Sequence, residues 1–146
     1  MAKGKSKMKH VLFLALCFLL APTVVGVAQT SAAFSGYYQT SNVSAVGNQI
    51  QLNFSAQVTN NSGSDVENAT ISLIDTLVAK PPYVQFTGVS IKNGDTSLAL
   101  AQSLTIPKYL YDSWQNGGVP QLTIDFTDAS GNAKDNIFAV APQPAQ

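Results

Sequence analysis

Gln49-Ile50-Gln51-Leu52-Asn53-Phe54-Ser55-Ala56-Gln57-Val58-Thr59 alternates polar and apolar side chains without a break. Successive side chains of a β-strand point to opposite faces, so this run makes a strand with one dry face and one wet face. An α-helix would scatter the same apolar residues around its axis. Asn60-Asn61-Ser62-Gly63-Ser64 follows with turn chemistry, because Asn and Gly tolerate positive φ and Ser and Asn bond their own backbone. Working outward, Ala69, Ile71 and Leu73 alternate with Thr70 and Ser72. Val84 and Phe86 begin a further strand, but Val89 and Ile91 carry it on in the opposite phase, which predicts a β-bulge at Gly88. Leu98, Leu100, Leu104 and Ile106 suggest a strand stopped by Pro107, and Leu122, Ile124 and Phe126 another. The turn Asp128-Ala129-Ser130-Gly131-Asn132 leads into a last strand from Ala133 to Val140, and a first strand is expected from Phe34 to Thr40. About seven short strands with a turn signal roughly every ten residues specify an all-β antiparallel sandwich. The one helical stretch is Lys108 to Gln115, a short crossover between strands, and Ala141 to Gln146 reads as a frayed, disordered tail.

The N-terminus has a different character. Lys3, Lys5, Lys7 and Lys9 precede an apolar run from Val11 to Leu20, then Pro22 and the small-residue exit Gly26-Val27-Ala28. That is the layout of a signal peptide cut after Ala28, giving a leader over 1–28, a sandwich over 29–140 and a tail over 141–146. If the leader stays uncut, Val11 to Ala28 is just long enough to span a bilayer, and the rest of the chain still faces outward. Cys17 follows the bulky Leu16 and sits in a continuing apolar run, so it reads as an apolar leader residue and not as a lipid attachment site. Either way the domain is expected to be exported: periplasmic, at the cell surface or extracellular, with no membrane association after cleavage.

The leader takes several chemistries with it. It holds the only His (His10) and the only Cys (Cys17), and the chain has no Arg. Beyond residue 28 remain Lys80, Lys92, Lys108 and Lys134 against Asp65, Glu67, Asp75, Asp95, Asp112, Asp125, Asp128 and Asp135. Four minus eight leaves a charge of −4 where the whole chain has a formal net charge of zero. Such a surface cannot neutralise a row of phosphates or dock on anionic lipid, which excludes nucleic acid as a partner. No disulfide can form, and neither His-based acid–base pairs nor Ser-His-Asp triads are available. The domain is expected to be non-catalytic and to need no cofactor.

At Val58-Thr59-Asn60-Asn61-Ser62-Gly63, then Asn68-Ala69-Thr70-Ile71 and Asp75-Thr76-Leu77, the chain resembles the immunoglobulin-like repeat domains of bacterial surface proteins, including the CARDB-type adhesion-related sandwiches. In those domains one strand ends in a V-T-N-x-G turn and the next in D-T-L. The likeness covers Ile50 to Ile91 and, in layout, the remainder. It implies a single immunoglobulin-like sandwich and a role in adhesion or protein contact. Those domains come in tandem, whereas this chain has one copy. Some surface sandwiches carry a Lys–Asn cross-link that needs a Lys on an early strand, and none occurs between Lys9 and Lys80.

Four groups of residues invite a functional reading. Tyr109, Tyr111, Trp114, Gln115 and Asn116 put aromatics beside amides, as a carbohydrate-binding surface requires; the competing reading is that Trp114 plugs the sandwich and Tyr109 covers its end. Tyr37-Tyr38 carries the same ambiguity. Asp128, Ser130, Asn132 and Asp135, and separately Asp65, Glu67 and Asn68, gather oxygen ligands of the kind calcium takes, but Asp, Ser and Asn are also ordinary turn residues, and no metal is expected. Asp125 and Asp128 could in principle form a glycosidase pair, but both read as solvated surface acids. Sequons begin at Asn42, Asn53, Asn60 and Asn68; in a eukaryotic secretory route they would be plausible glycan sites, whereas in a bacterial protein, which the lysine-rich start and the surface-repeat resemblance favour, they are chance. The leading expectation is an exported sandwich acting in protein binding, adhesion or extracellular assembly through its open sheet margins. Self-assembly could use the segment Gln29 to Ser41 as a strand donated to a neighbour. The alternative is a carbohydrate-binding module built around Trp114.

Overall fold

The computed structural model describes residues 32–144 except 79; the leader and its expected cut after Ala28 lie outside the described residues. Two four-stranded sheets face each other. The first has the order β5 (Leu100–Pro107), β2 (Gln49–Asn60), β1 (Phe34–Val46), β8 (Ala141–Pro142). The second has the order β4 (Val84–Ile91), β3 (Val66–Ile74), β6 (Gln121–Thr127), β7 (Ala133–Ala139). All neighbours are antiparallel except β1 and β8. The chain changes sheet between β2 and β3, β4 and β5, β5 and β6, and β7 and β8, the Greek-key wiring of an immunoglobulin-like sandwich.

The alternation on β2 does what its period requires. Ile50, Leu52, Phe54, Ala56 and Val58 are all buried, while Gln49 and Gln51 lie in water. Opposite them, Val66, Ala69, Ile71 and Leu73 of β3 and Leu122 and Ile124 of β6 supply the other wall. At one end of the core Phe34 packs its ring 5.9 Å from those of both Phe126 and Phe138. At the other, α1 (Lys108–Gln115) closes the sandwich with Leu110 and Trp114. The backbone N–H of Lys108 donates to the carbonyl of Asn48 at 3.0 Å, so the helix starts tied to the β1–β2 turn.

The bulge expected at Gly88 is present. Between the pairs Ala69↔Val89 and Ile71↔Phe86, β4 has one residue more than β3, and Gly88 has φ +70°. A second bulge compensates it on β3, where Glu67 and Asn68 face Ser90 alone and Asn68 has φ +52°. A third lies in β1, where Asn42 takes φ +50° between the pairs Ser41↔Asn53 and Ser44↔Gln51. Asn suits these positions because its short amide tolerates the left-handed region better than other side chains.

Three expectations are corrected. The segment ending at Ser41 is not spare chain for a neighbour: from Phe34 onward it is β1, and Phe34 and Tyr38 are core residues. The expected frayed tail begins instead as β8, with Tyr37↔Ala141 and Tyr38↔Pro142 in register and the Gln143 N–H donating to the Tyr38 carbonyl at 2.9 Å. The chain reaches β1 because Val140, fully buried, crosses from one sheet to the other. Beside it, Gly36 is required by the close approach of β1 to β2: a Cβ there would stand 2.2 Å from the Gln57 carbonyl oxygen, and 3.2 Å from Val140 Cγ1. The expected strand from Leu98 starts two residues later, and Leu98 itself is 88% exposed. Gly36→Ala is expected to cost about 1–3 kcal/mol or more, read as a lowered urea midpoint; an unchanged midpoint would mean that β1 and β2 do not approach so closely at Gln57.

Candidate functional site

Trp114 settles the reading of the aromatic helix. It is 5% exposed, with its ring 5.9 Å from that of Tyr38 and 6.2 Å from that of Phe54. Tyr111 lies edge-on to it at 6.4 Å. A sugar needs an open aromatic face, and the indole has none, so the carbohydrate surface centred on Trp114 is corrected to a core plug. Gln115 and Asn116 are exposed at the helix end, where the Asn116 side chain donates to the Asp112 carbonyl at 2.7 Å.

Tyr109 has a role that sequence reasoning missed. Asp75 directly follows β3, is only 8% exposed, and accepts the Leu77 N–H on Oδ1 at 2.9 Å. Its Oδ2 accepts the phenols of Tyr83, at 3.3 Å, and of Tyr109. Burial pushes the Asp75 carboxyl up, but the Tyr109 phenol, the Leu77 amide, the Tyr83 phenol and the Lys80 charge together hold it below its usual value. Burial, then the neighbouring Tyr109 and Asp75, push the Tyr83 phenol well up. The Tyr109 phenol is raised mainly by its bond to Asp75. This network clasps α1 to the β3–β4 connection. The D-T-L motif marked Asp75, but nothing in the sequence joined it to a tyrosine 34 positions away.

The other groups do local work. Asp128 Oδ1 accepts the N–H groups of Ser130 and Asn132, each at 2.9 Å, and closes its own turn. These amides, foremost that of Asn132, hold the Asp128 carboxyl below its usual value against a smaller opposing effect of desolvation. Asp65 Oδ1 accepts the Asn93 N–H at 2.8 Å. Asp125 and Asp135 stand directly opposite on β6 and β7 and line a shallow, open groove with Glu67 and Lys134. Asn60 is fully buried, donating to the carbonyls of Ser64 at 2.8 Å and Ile91 at 2.9 Å and accepting the Ser62 N–H at 3.0 Å and hydroxyl at 2.7 Å. Its amide is committed inside, so no glycan could be joined there. Asn42 and Asn68 are exposed.

The first sheet differs from the second in charge. Its four strands contain no Asp, Glu, Lys, Arg or His, whereas β3, β6 and β7 hold Glu67, Asp125, Lys134 and Asp135. Its outer surface is a sheet of amides and hydroxyls in cross-strand rows, such as Ser41–Asn53–Ser103 and Ser44–Gln51–Thr105. Ser103 Oγ donates to Asn53 Oδ1 at 2.5 Å. The four edge strands are not equally protected. β8 is two residues long and ends in Pro142, β4 is bulged, and β7 carries Lys134 and Asp135. β5 pairs with β2 in unbroken register from Ala56↔Leu100 to Gln49↔Pro107, with neither charge nor bulge. Folded proteins ordinarily guard such edges with one or the other. Beyond Tyr38 one side of β1 is also unpaired, but that stretch is bulged at Asn42; among the described strands, β5 is the regular open margin.

No family model matches this chain, and no curated protein matches it. Among solved structures, a crystal structure of a protein from Archaeoglobus fulgidus is similar over 71% of this chain and 89% of that one, at 12% identity and a TM-score of 0.28. So slight a likeness carries no argument.

Two outcomes test the interior roles. Trp114→Ala should lower stability by about 3–5 kcal/mol in chemical denaturation, as removal of a buried aromatic does; a near-neutral change would return Trp114 to the surface. Asp75 has a folded pKa below its ordinary 3.8, so its contribution is complete above that value and is lost as the pH falls through the folded pKa. Thermal melts from pH 7 to 3 should therefore show a steeper acid loss for the native chain than for Asp75→Asn, and Tyr109→Phe should share the shallower slope. Parallel acid curves for all three would dissolve the clasp.

Proposed function

We propose that this chain is an exported, non-catalytic sandwich that works by protein contact, in binding, adhesion or extracellular assembly, and that the open β5 margin of the uncharged sheet makes the contact. The observation that carries this reading is the unguarded edge itself. Along the regular strand Leu100–Pro107, alternate residues offer backbone donors and acceptors on the free side, and the strand has no charge or bulge to turn a partner away. Strand addition to such an edge gives affinity through main-chain hydrogen bonds, with side chains on alternate positions tuning the choice of partner.

Export is supported by the basic, apolar and small-residue sections of the first 28 residues, and absence of catalysis by the lack of His, Cys and Arg after them. The likeness of Val58–Gly63 and Asp75–Leu77 to CARDB-type surface sandwiches points toward adhesion. Burial of Trp114 takes away the stacking platform on which a carbohydrate-binding role rested.

Thr105 is exposed on β5, so Thr105→Lys should charge the margin without disturbing the core. We expect it to weaken self-association or retention of co-exported proteins about tenfold or more. Ala139→Lys, on the margin of the other sheet, should leave both unchanged. Sedimentation velocity and affinity capture measure the two quantities; equal effects of the two variants would place the contact elsewhere.

A further inference from the structure

Resting on the reading of β5 as the contact margin, we infer that its occupant is β5 of a second copy, paired antiparallel about a two-fold axis through Ser103. The backbone phase sets the register. In an antiparallel ladder, residues that exchange hydrogen bonds with one neighbour alternate with residues whose N–H and C=O point away from it. The Lys108 N–H donates to the Asn48 carbonyl, continuing the β5–β2 ladder by one step. Lys108, Ile106, Leu104, Gln102 and Leu100 thus have one phase, toward β2. Ala101, Ser103 and Thr105 have the other and present both backbone groups to the free side, and Pro107, which has no N–H, falls in this phase with only a carbonyl to offer.

This set is symmetric about its middle member. Antiparallel pairing centred on Ser103 places Ser103 against the other copy's Ser103, and Ala101 against the other copy's Thr105, twice. All are hydrogen-bonding positions, so about six ladder bonds form without a slip, and the facing side chains are small and neutral. The result is one sheet running through both copies, β8-β1-β2-β5 continuing into its own mirror order. A contact that uses the same patch on both partners closes on itself and stops at a dimer.

Charge favours a second copy over a charged partner. Beyond the leader each chain has four Lys against eight Asp and Glu, so two copies repel at most approaches. The first sheet is the side on which they meet with no charge in the strands. A cationic peptide, by contrast, would find its complement in the second sheet, where Glu67, Asp125 and Asp135 outnumber Lys134.

Sedimentation equilibrium of the full chain should show a reversible dimer. Ser103→Lys, which sets two ammonium groups face to face on the axis, should weaken it at least about tenfold while leaving the thermal midpoint of the dilute, monomeric protein unchanged. In a Cys17→Ser background, Ser103→Cys should be joined between copies by a short bis-maleimide, because paired Cα atoms there stand about 5.5 Å apart. Thr87→Cys, exposed on β4 of the other sheet, should not be joined. A dimer that survives Ser103→Lys and resists joining at 103 overturns the two-fold pairing. So does a strict monomer; if that monomer captures another protein through β5, and Ser103→Lys abolishes the capture, the margin stands and only the self-pairing falls. A monomer whose captured proteins ignore both Ser103→Lys and Thr105→Lys sinks the margin as well.

Discussion

The contact of Trp114 with Tyr38 and Phe54 governs the rest of this molecule. It joins α1 to the middle of the first sheet, with the Tyr38 and Phe54 rings nearly parallel at 15° and the indole inclined across both. With the indole inside, the connection from β5 to β6 must cross one end of the core, and its largest aromatic ring is spent on that core. With the helix over that end, Ile50, Leu52 and Ile106 stay dry. A chain without disulfides needs such closure from packing alone, and buried aromatics supply more of it per residue than any other side chain.

Much of the architecture was legible because it depends on local period. The Gln49–Thr59 alternation, the phase slip at Gly88 and the short helix from Lys108 are each written in neighbouring residues. Position in a sheet is not. β8 was misread because Ala141-Pro142-Gln143-Pro144 has the composition of a loose end, and only its distant pairing with Tyr37 and Tyr38 makes it a strand. Trp114 stayed ambiguous because an aromatic on a short amphipathic helix has the same local pattern whether it faces a core or a ligand. The Asp75–Tyr109 bond spans two elements and left no local trace. The uncharged sheet did leave one: residues 11–64 and 96–107 contain no charged side chain, and those stretches supply β1, β2 and β5. The signal was in the sequence, but its meaning needed the knowledge that those strands lie side by side.

Charge and edge protection are separate properties that coincide here. A strand can be neutral and still be shielded, as β4 is by its bulge and β8 by its length. A strand can be regular and still repel, as β7 does through Lys134 and Asp135. In β5 neither barrier operates. The polar face beside it is held by side chains bonding one another, as Ser103 does with Asn53, so it presents an ordered array instead of mobile charged groups. Such a surface costs little to desolvate beside a matching one, because every amide or hydroxyl can exchange one neutral partner for another.

The parallel pairing of β1 with β8 has a mechanical meaning. The chain enters β1 at one pole of the sandwich and leaves β8 toward the other, so tension between its ends pulls these two strands past each other along their length. Bonds loaded in that direction share the force and must fail together, whereas a hairpin peeled from its open end loses them one by one. The clamp is small: two register pairs and the Gln143–Tyr38 bond, seated against Val140 and Gly36. Yet it lies in series with every load passing through the domain, and the hairpin β1–β2 behind it is reached only after it slips. A pull on the two ends of the described domain meets this short pair of strands first.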